Sequence, residues 1–276
     1  DLTTLLRAFV RIKRKYETVF KRLFEQFPVV IVTGARQVGK TSLVRKIFPN
    51  YSYVSLDLPA LAEQAENNPS DFLKSYSEPL IIDEVQYAPA IFRYLKNAVD
   101  HDKRAGRFVL TGSQNFTLMQ NVSESLAGRC GILNMYNLSY REIAEKIDID
   151  DLDYLAGGGF PELYKNPEIE TLFWYASYLT TYLERDVRNI LNITSLRDFE
   201  RFLRAVAIRT SNILSYSELA RDVGISPNTA KSWISVLQAS GQIFLLEPYH
   251  KNLGKRLIKS PKVYMCDTGL AAFLMG

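Results

Sequence analysis

The residues best equipped for chemistry lie in VVIVTGARQVGKTSL, Val29 to Leu43. Gly34 and Gly39 are followed directly by Lys40 and Thr41, in the spacing G-x-x-x-x-G-K-T. Glycines let a backbone wrap closely round an anion, and successive amide N–H groups at a helix N-terminus then face its charge. A lysine at this spacing reaches the β- and γ-phosphates of a nucleotide, and the neighbouring hydroxyl suits Mg2+. The residues expected to cradle ATP or ADP are Gly34, Ala35, Arg36, Gln37, Val38, Gly39, Lys40, Thr41 and Ser42. The bland alternative is a glycine-rich turn that merely contains Gly-Lys-Thr. The flanks argue against it, because a phosphate loop needs a strand before and a helix after.

A second group completes the chemistry. Leu80-Ile-Ile-Asp83-Glu84 is an apolar run ending in two acids. Beside a phosphate loop, the first acid holds Mg2+ together with Thr41, and Glu84 is placed to orient or deprotonate an attacking water. The alternative for an acid pair is a solvated strand end or a helix cap. Ser113 and Gln114, in LTGSQN, are candidates to sense the γ-phosphate or the water; an ordinary polar turn is the other reading. Arg129, in SLAGR, is a candidate to reach a neighbouring subunit's site and stabilise transition-state charge. Its alternatives are a structural salt bridge and a contact within its own site. Arg36 is either a phosphate contact or a loop side chain that points away.

These residues require a scaffold that presents strand ends together. PVVIVT (28–33) reads as a strand buried on both faces, and TSLVRKIF as the helix after the loop. Further strands are expected at 51–57, 79–84, 106–113 and 131–138, separated by helical segments. Strands alternating with helical crossovers predict an α/β parallel sheet. After about residue 140 the pattern becomes helical. GGGFPEL (157–163) reads as a hinge-like turn, followed by a long helix through TLFWYASYLTTYLERDVRNIL and another through DFERFLRAVAIRT.

Together, TGARQVGKT, LIIDEVQ, LTGSQNF and SLAGR resemble the signature of bacterial and archaeal AAA-type P-loop ATPases. GGFPE, TYLERDVRNI and PKVYMCDTGL extend the likeness over nearly the whole chain. The resemblance implies a P-loop NTPase sheet with the fourth strand between the first and third, seating Ser113 and Gln114 by the phosphate. It implies an ATPase core over 1–140, a helical lid over 141–212 carrying Tyr182, Arg185 and Asp186, and a possible homo-oligomer. Family members commonly continue past DTGL into a domain like a restriction-endonuclease fold; it is either absent here or outside the sequence, which supplies no nuclease residues.

The last segment, 213–276, reads as a winged helix-turn-helix. YSELARDV forms a first helix, Gly224 allows a tight turn, and Ser226 with Pro227 opens a second helix. GQIFLLEPY and PKVYMCD supply the strands of a wing. If the module binds double-stranded DNA, Asn228, Thr229, Lys231 and Ser232 begin the recognition helix. Lys251, Lys255, Arg256, Lys259 and Lys262 crowd the wing with no acid among them. Winged helices also serve as protein–protein modules, so a protein partner is equally open.

Composition sets the frame. The 34 Lys and Arg against 30 Asp and Glu give a net charge of +4, too small a sum to select a partner. Cys130 and Cys266 lie far apart and in no ligand-like spacing, which argues against a disulfide framework or zinc site and fits a reducing cytoplasm better; both read as small apolar residues in strands. No apolar run approaches the roughly 18–20 residues of a membrane span, and no signal peptide is visible. The basic start, with Leu5, Leu6, Phe9, Ile12, Tyr16, Val19, Phe20 and Leu23 at approximately helical spacing, reads as a helix packed beside the first strand, or as one facing a membrane surface or nucleic acid. The functions left open are a Mg2+-dependent ATPase, a nucleotide-gated switch and an ATP-modulated DNA-binding regulator.

Overall fold

A computed structural model of the chain describes residues 12–112, 122, 124–183, 196–249 and 259–276. Residues 13–136 form one compact unit, and residues 137–276 belong to another.

The first unit is built on β1 (Val29–Gly34), β2 (Ser52–Ser55), β3 (Leu80–Asp83), β4 (Phe108–Thr111) and β5 (Cys130–Met135), all parallel, in the order β2-β3-β4-β1-β5. The fourth strand thus lies between the first and third, as the resemblance implies. Every residue of β1, β3 and β4 is buried. Alternation sends Val29 and Ile31 into one apolar cluster and Val30 and Val32 into another, so both faces of the sheet are covered. The helices in this unit are α1 (Tyr16–Gln26), α2 (Lys40–Ile47), α3 (Pro59–Asn67), α4 (Pro69–Lys74) and α5 (Ile91–His101). Helix α1 buries Phe20 beside β1 and β5, as the packing reading expects of this part of the basic start; Leu5 and Phe9 lie outside the described residues. β1 has the expected length, shifted by one residue, whereas β2 to β5 are shorter than the expected spans.

Parallel strands put their C-terminal ends on one edge. Gly34, Ser55, Asp83, Thr111 and Met135 are therefore brought to a common rim, where open α/β sheets bind ligands.

The second unit holds α6 (Tyr140–Ala144), α7 (Asp151–Gly157), α8 (Pro161–Lys165), α9 (Thr171–Tyr182), α10 (Leu196–Ile208), α11 (Tyr216–Val223), α12 (Pro227–Ala239), the antiparallel pair β6 (Ile243–Leu246) and β7 (Lys262–Met265), and α13 (Thr268–Met275). Its apolar residues from Phe160 to Leu274 form one cluster, so helices from the expected lid and from the segment after 212 share a core. Phe199 and Phe202 of α10 meet Trp233 of α12 at ring distances of 5.1 and 5.2 Å.

The GGGFPE turn is not the hinge its glycines suggest. A Cβ on Gly158 (φ +73°) would stand 2.2 Å from the Tyr175 hydroxyl and 2.5 Å from Asp267 Oδ1; one on Gly159 would stand 2.2 Å from the Leu138 carbonyl oxygen. The glycines are there for close approach, not for motion. Asp267, 5% exposed, accepts from Asn137 Nδ2 (2.7 Å), Gly159 N (2.9 Å), Tyr175 Oη (2.7 Å) and Leu270 N (2.8 Å). GGGFPE and CDTGL are thus two halves of one buried node. Burial first, then Asp267, pushes the Tyr175 hydroxyl far above the ordinary tyrosine range, so it remains a donor. Cys130 lies in β5 as expected, but Cys266 follows β7 rather than lying in it. Both thiols are free, and burial pushes them up to about 11 and 12. Among the described residues no helix is long and apolar enough to cross a membrane.

Candidate functional site

β1 delivers the chain to the sheet rim at Gly34, whose φ is +144° and whose missing Cβ would sit 2.2 Å from the Met135 carbonyl oxygen. No larger residue fits without moving β5. The chain then turns through Gln37 (φ 62°) and Gly39 (φ 91°). Gly39 is the left-handed N-cap of α2, so the loop closes directly onto a helix N-terminus. Lys40 is 6% exposed, and its Nζ donates to the carbonyls of Gly34 (3.1 Å) and Ala35 (2.9 Å). The ammonium is thereby folded over the loop. Ala35 and Val38 are buried, Arg36 is half-buried, and Gln37 and Ser42 are exposed.

Asp83 ends β3, next to this loop and 6% exposed. Thr41 Oγ1 donates to its Oδ1 at 2.9 Å and Oδ2 at 3.1 Å. Tyr53 Oη donates to Oδ2 at 2.8 Å, and Thr111 Oγ1 donates to Oδ1. A carboxylate in this setting is held by charge-assisted bonds. Burial and then the Asp83 bond push the Tyr53 hydroxyl up to about 12, so it stays a donor at neutral pH. Arg45 lies over the Tyr53 ring, 4.8 Å from its centroid.

Glu84 follows in the left-handed region (φ 55°, ψ 45°) as the N-cap of a short 3-10 turn, Val85–Tyr87. A non-glycine residue held there is backbone strain of order 1–3 kcal/mol, which the surrounding structure has to sustain. Its N–H donates to Thr111 Oγ1 at 3.4 Å, and Gln86 Nε2 donates to its Oε2. Among the described residues Gln86 Oε1 is buried with no hydrogen-bond partner.

The donor set suits a hard divalent cation. Thr41 and Asp83 supply oxygen ligands within hydrogen-bond reach of each other, and they are the residues that would hold Mg2+. Among the described residues no cluster of three or more His, Cys, Asp or Glu forms a metal cage. Mg2+ does not need one, since it binds through one or two protein ligands with phosphate oxygens and water. The loop closes at Gly39 onto the N-terminus of α2, a setting whose N–H groups suit a phosphate chain.

Other expected residues fall elsewhere. Ser113 and Gln114 lie outside the described residues; Thr111 is the side chain seen to bind Asp83 from the end of β4. Arg129 precedes β5, at the end of the sheet opposite the loop, about 20 Å away along six residues of strand. It forms a bidentate pair with Asp100 of α5, Nε to Oδ1 at 2.6 Å and Nη2 to Oδ2 at 3.0 Å. A contact with the chain's own loop is excluded by that position, and the salt-bridge alternative is what the structure contains. Sequence reasoning missed Tyr53, Thr111 and Gln86, which belong to no spacing rule. Only the sheet register brings the first two to Asp83.

In the second unit α11 and α12 are joined by a turn at Gly224 (φ 83°). Ser226 Oγ accepts the Thr229 N–H at 3.0 Å, and Pro227 takes the first helical position. Ala230, Trp233, Ile234 and Leu237 are buried, whereas Asn228, Lys231 and Ser232 are exposed and Thr229 is half-buried. Ser235 and Gln238 extend the exposed stripe by helical periodicity. Strands β6 and β7 follow, with Ile213 bridging to Lys262. Lys259 and Lys262 are exposed; Lys251, Lys255, Arg256, and likewise Arg185 and Asp186 on the preceding family motif, lie outside the described residues.

Residues 26–144 match a protein-family model described as an AAA domain, and residues 150–276 match one described as a domain of unknown function. Uncharacterised proteins of Mycobacterium bovis and Mycobacterium tuberculosis are each 31% identical over 264 residues, 93% of this chain and 58% of theirs. The chain thus spans 58% of the length of those relatives. A solved Walker-type ATPase of Pyrococcus abyssi is similar in fold, with a TM-score of 0.64 and 17% identity, covering 97% of this chain and 99% of that one. With the AAA match, the five-stranded parallel sheet is a P-loop ATPase-like fold.

Proposed function

We propose that this chain binds Mg2+ and ATP at the 34–42 loop, hydrolyses the γ-phosphate, and couples the cycle to a winged helix-turn-helix that contacts double-stranded DNA. The observation that carries the reading is the convergence of Lys40, Thr41, Asp83 and Glu84 on one rim, with Thr41 Oγ1 2.9 Å from Asp83 Oδ1. Lys40 meets the β- and γ-phosphate oxygens. Thr41 and Asp83 hold Mg2+, which when bound offsets the charge of the phosphates. Glu84, held at Oε2 by Gln86, accepts the proton of the attacking water. Water oxygen bonds to the γ-phosphorus, the bond to the β-bridging oxygen breaks, and ADP and inorganic phosphate leave. Within one chain Arg129 pairs with Asp100, so any part it takes in hydrolysis is at a neighbouring subunit's site. The free, fully protonated thiols suit a reducing cytoplasm. Phosphate release from Mg2+ and ATP by the purified chain tests the reading; no release, with or without duplex DNA, contradicts it.

The DNA assignment rests on the exposed stripe of α12 and the acid-free strip through Lys251, Lys255, Arg256, Lys259 and Lys262. Phosphate contacts make affinity fall with salt, at a slope of about 0.9 per contact. Replacing Lys251, Lys255 and Arg256 with alanine is expected to flatten the plot of log affinity against log salt by roughly 2–3. An unchanged slope for duplex DNA would assign the module to a protein partner instead.

A further inference from the structure

Resting on the nucleotide reading of the loop, we infer that Arg14 is a positioning residue for phosphate binding: it grips the Val38 carbonyl and thereby aims the Gly39 N–H at the anion. Arg14 precedes α1 and belongs to none of the signature motifs. Its side chain is nevertheless almost completely buried, the residue being 8% exposed. Nη1 donates to the Val38 carbonyl oxygen at 3.3 Å, and Nη2 donates to the Tyr136 carbonyl at the end of β5. The Tyr16 ring lies beneath the guanidinium, 5.4 Å from centroid to Cζ, and Tyr16 Oη accepts the Tyr136 N–H at 3.2 Å. One turn on, Glu17 pairs with Lys46 of α2. Arg14 and the first turn of α1 are therefore tied to the phosphate loop, to the helix after it and to the neighbouring strand end.

The consequence follows from peptide geometry. The Val38 carbonyl and the Gly39 N–H are the two ends of one planar, trans peptide unit. Fixing the carbonyl on one side fixes the N–H on the other. Gly39, at φ 91°, is the N-cap of α2, and N–H groups at such a terminus have no partner within the helix. A glycine here has the widest choice of conformations, so an outside grip is what selects one. A cation on the carbonyl also polarises the amide and strengthens its N–H as a donor. Arginine suits the task better than lysine, because its fork reaches two carbonyls at once.

The test uses ADP, which separates binding from turnover. Calorimetric titration with Mg2+ present is expected to show Arg14→Ala weakening ADP by about tenfold or more, the scale of one lost charged hydrogen bond. The saturated rate of ATP turnover should change far less than the KM. Arg14→Lys should recover part of the affinity, and Tyr16→Phe, which keeps the ring and leaves Val38 alone, should bind within about twofold of wild type. Without nucleotide, amide exchange in residues 34–42 should quicken in Arg14→Ala and not in Tyr16→Phe. Unchanged ADP affinity in Arg14→Ala, or equal losses in Arg14→Ala and Tyr16→Phe, overturns the assignment. A wild-type chain that binds no nucleotide overturns the loop reading and this inference with it; wild-type binding with an indifferent Arg14→Ala overturns the inference alone.

Discussion

Glu84→Gln is expected to bind ATP as tightly as wild type and to release phosphate about 10²–10⁴-fold more slowly, the usual worth of a positioned general base. Glutamine keeps the size and the hydrogen bond to Gln86, so the left-handed turn at 84 and its N–H bond to Thr111 survive. Lys40, Thr41 and Asp83 are untouched, so the phosphate cradle and cation ligands stay in place. What is lost is the only feature that distinguishes the two side chains, a carboxylate able to take a proton. Single-turnover phosphate release beside equilibrium ATP binding separates the two effects. Wild-type turnover in the variant would remove Glu84 from the chemistry and leave the loop as a nucleotide switch.

The second large effect concerns folding. Asp267→Ala is expected to cost on the order of 4 kcal/mol, because buried donors left unmet cost about 1–3 kcal/mol each. Asn137 Nδ2, Gly159 N and Leu270 N lose their acceptor, while Tyr175 Oη retains the Gly157 carbonyl at 3.0 Å. That is a large share of an ordinary domain's 5–15 kcal/mol. Asp267→Asn should lose less, since one carbonyl oxygen remains, but its amide group then faces donors. Urea unfolding followed by tryptophan fluorescence reports the transition, since Trp174 and Trp233 both lie in residues 137–276. A midpoint shift equivalent to less than about 1 kcal/mol would show that the node is dispensable.

The parallel sheet and the phosphate loop were legible because each has a pattern of its own. Val29 to Val32 are apolar at every position, as suits a strand covered on both faces, and G-x-x-x-x-G-K-T has few other physical uses. The two helices on either side of Gly224 were legible for the same reason, through Gly224, Ser226 and Pro227. The ring of hydroxyls around Asp83 was not. Tyr53 and Thr111 are 30 and 28 positions from Asp83 and meet it only because β2, β3 and β4 run side by side. Arg14 was hidden likewise, inside a basic run whose other members gave no reason to single it out. GGGFPE misled in the opposite direction: glycines suggest freedom, whereas here they make room for the Tyr175 hydroxyl and Asp267. A tight approach and a hinge use the same residue, and only the neighbours tell them apart.

The central claim is that residues 34–42 form a Mg2+-dependent ATP site. Equilibrium binding of ATP to wild type and to Lys40→Ala, each with Mg2+ and with chelator, tests it most directly. The account predicts saturable binding by wild type that weakens on chelation, and a loss of about 100-fold or more in Lys40→Ala, as expected for a desolvated ammonium on phosphate. Wild type that does not saturate, or a Lys40→Ala chain that binds ATP equally well, would contradict it.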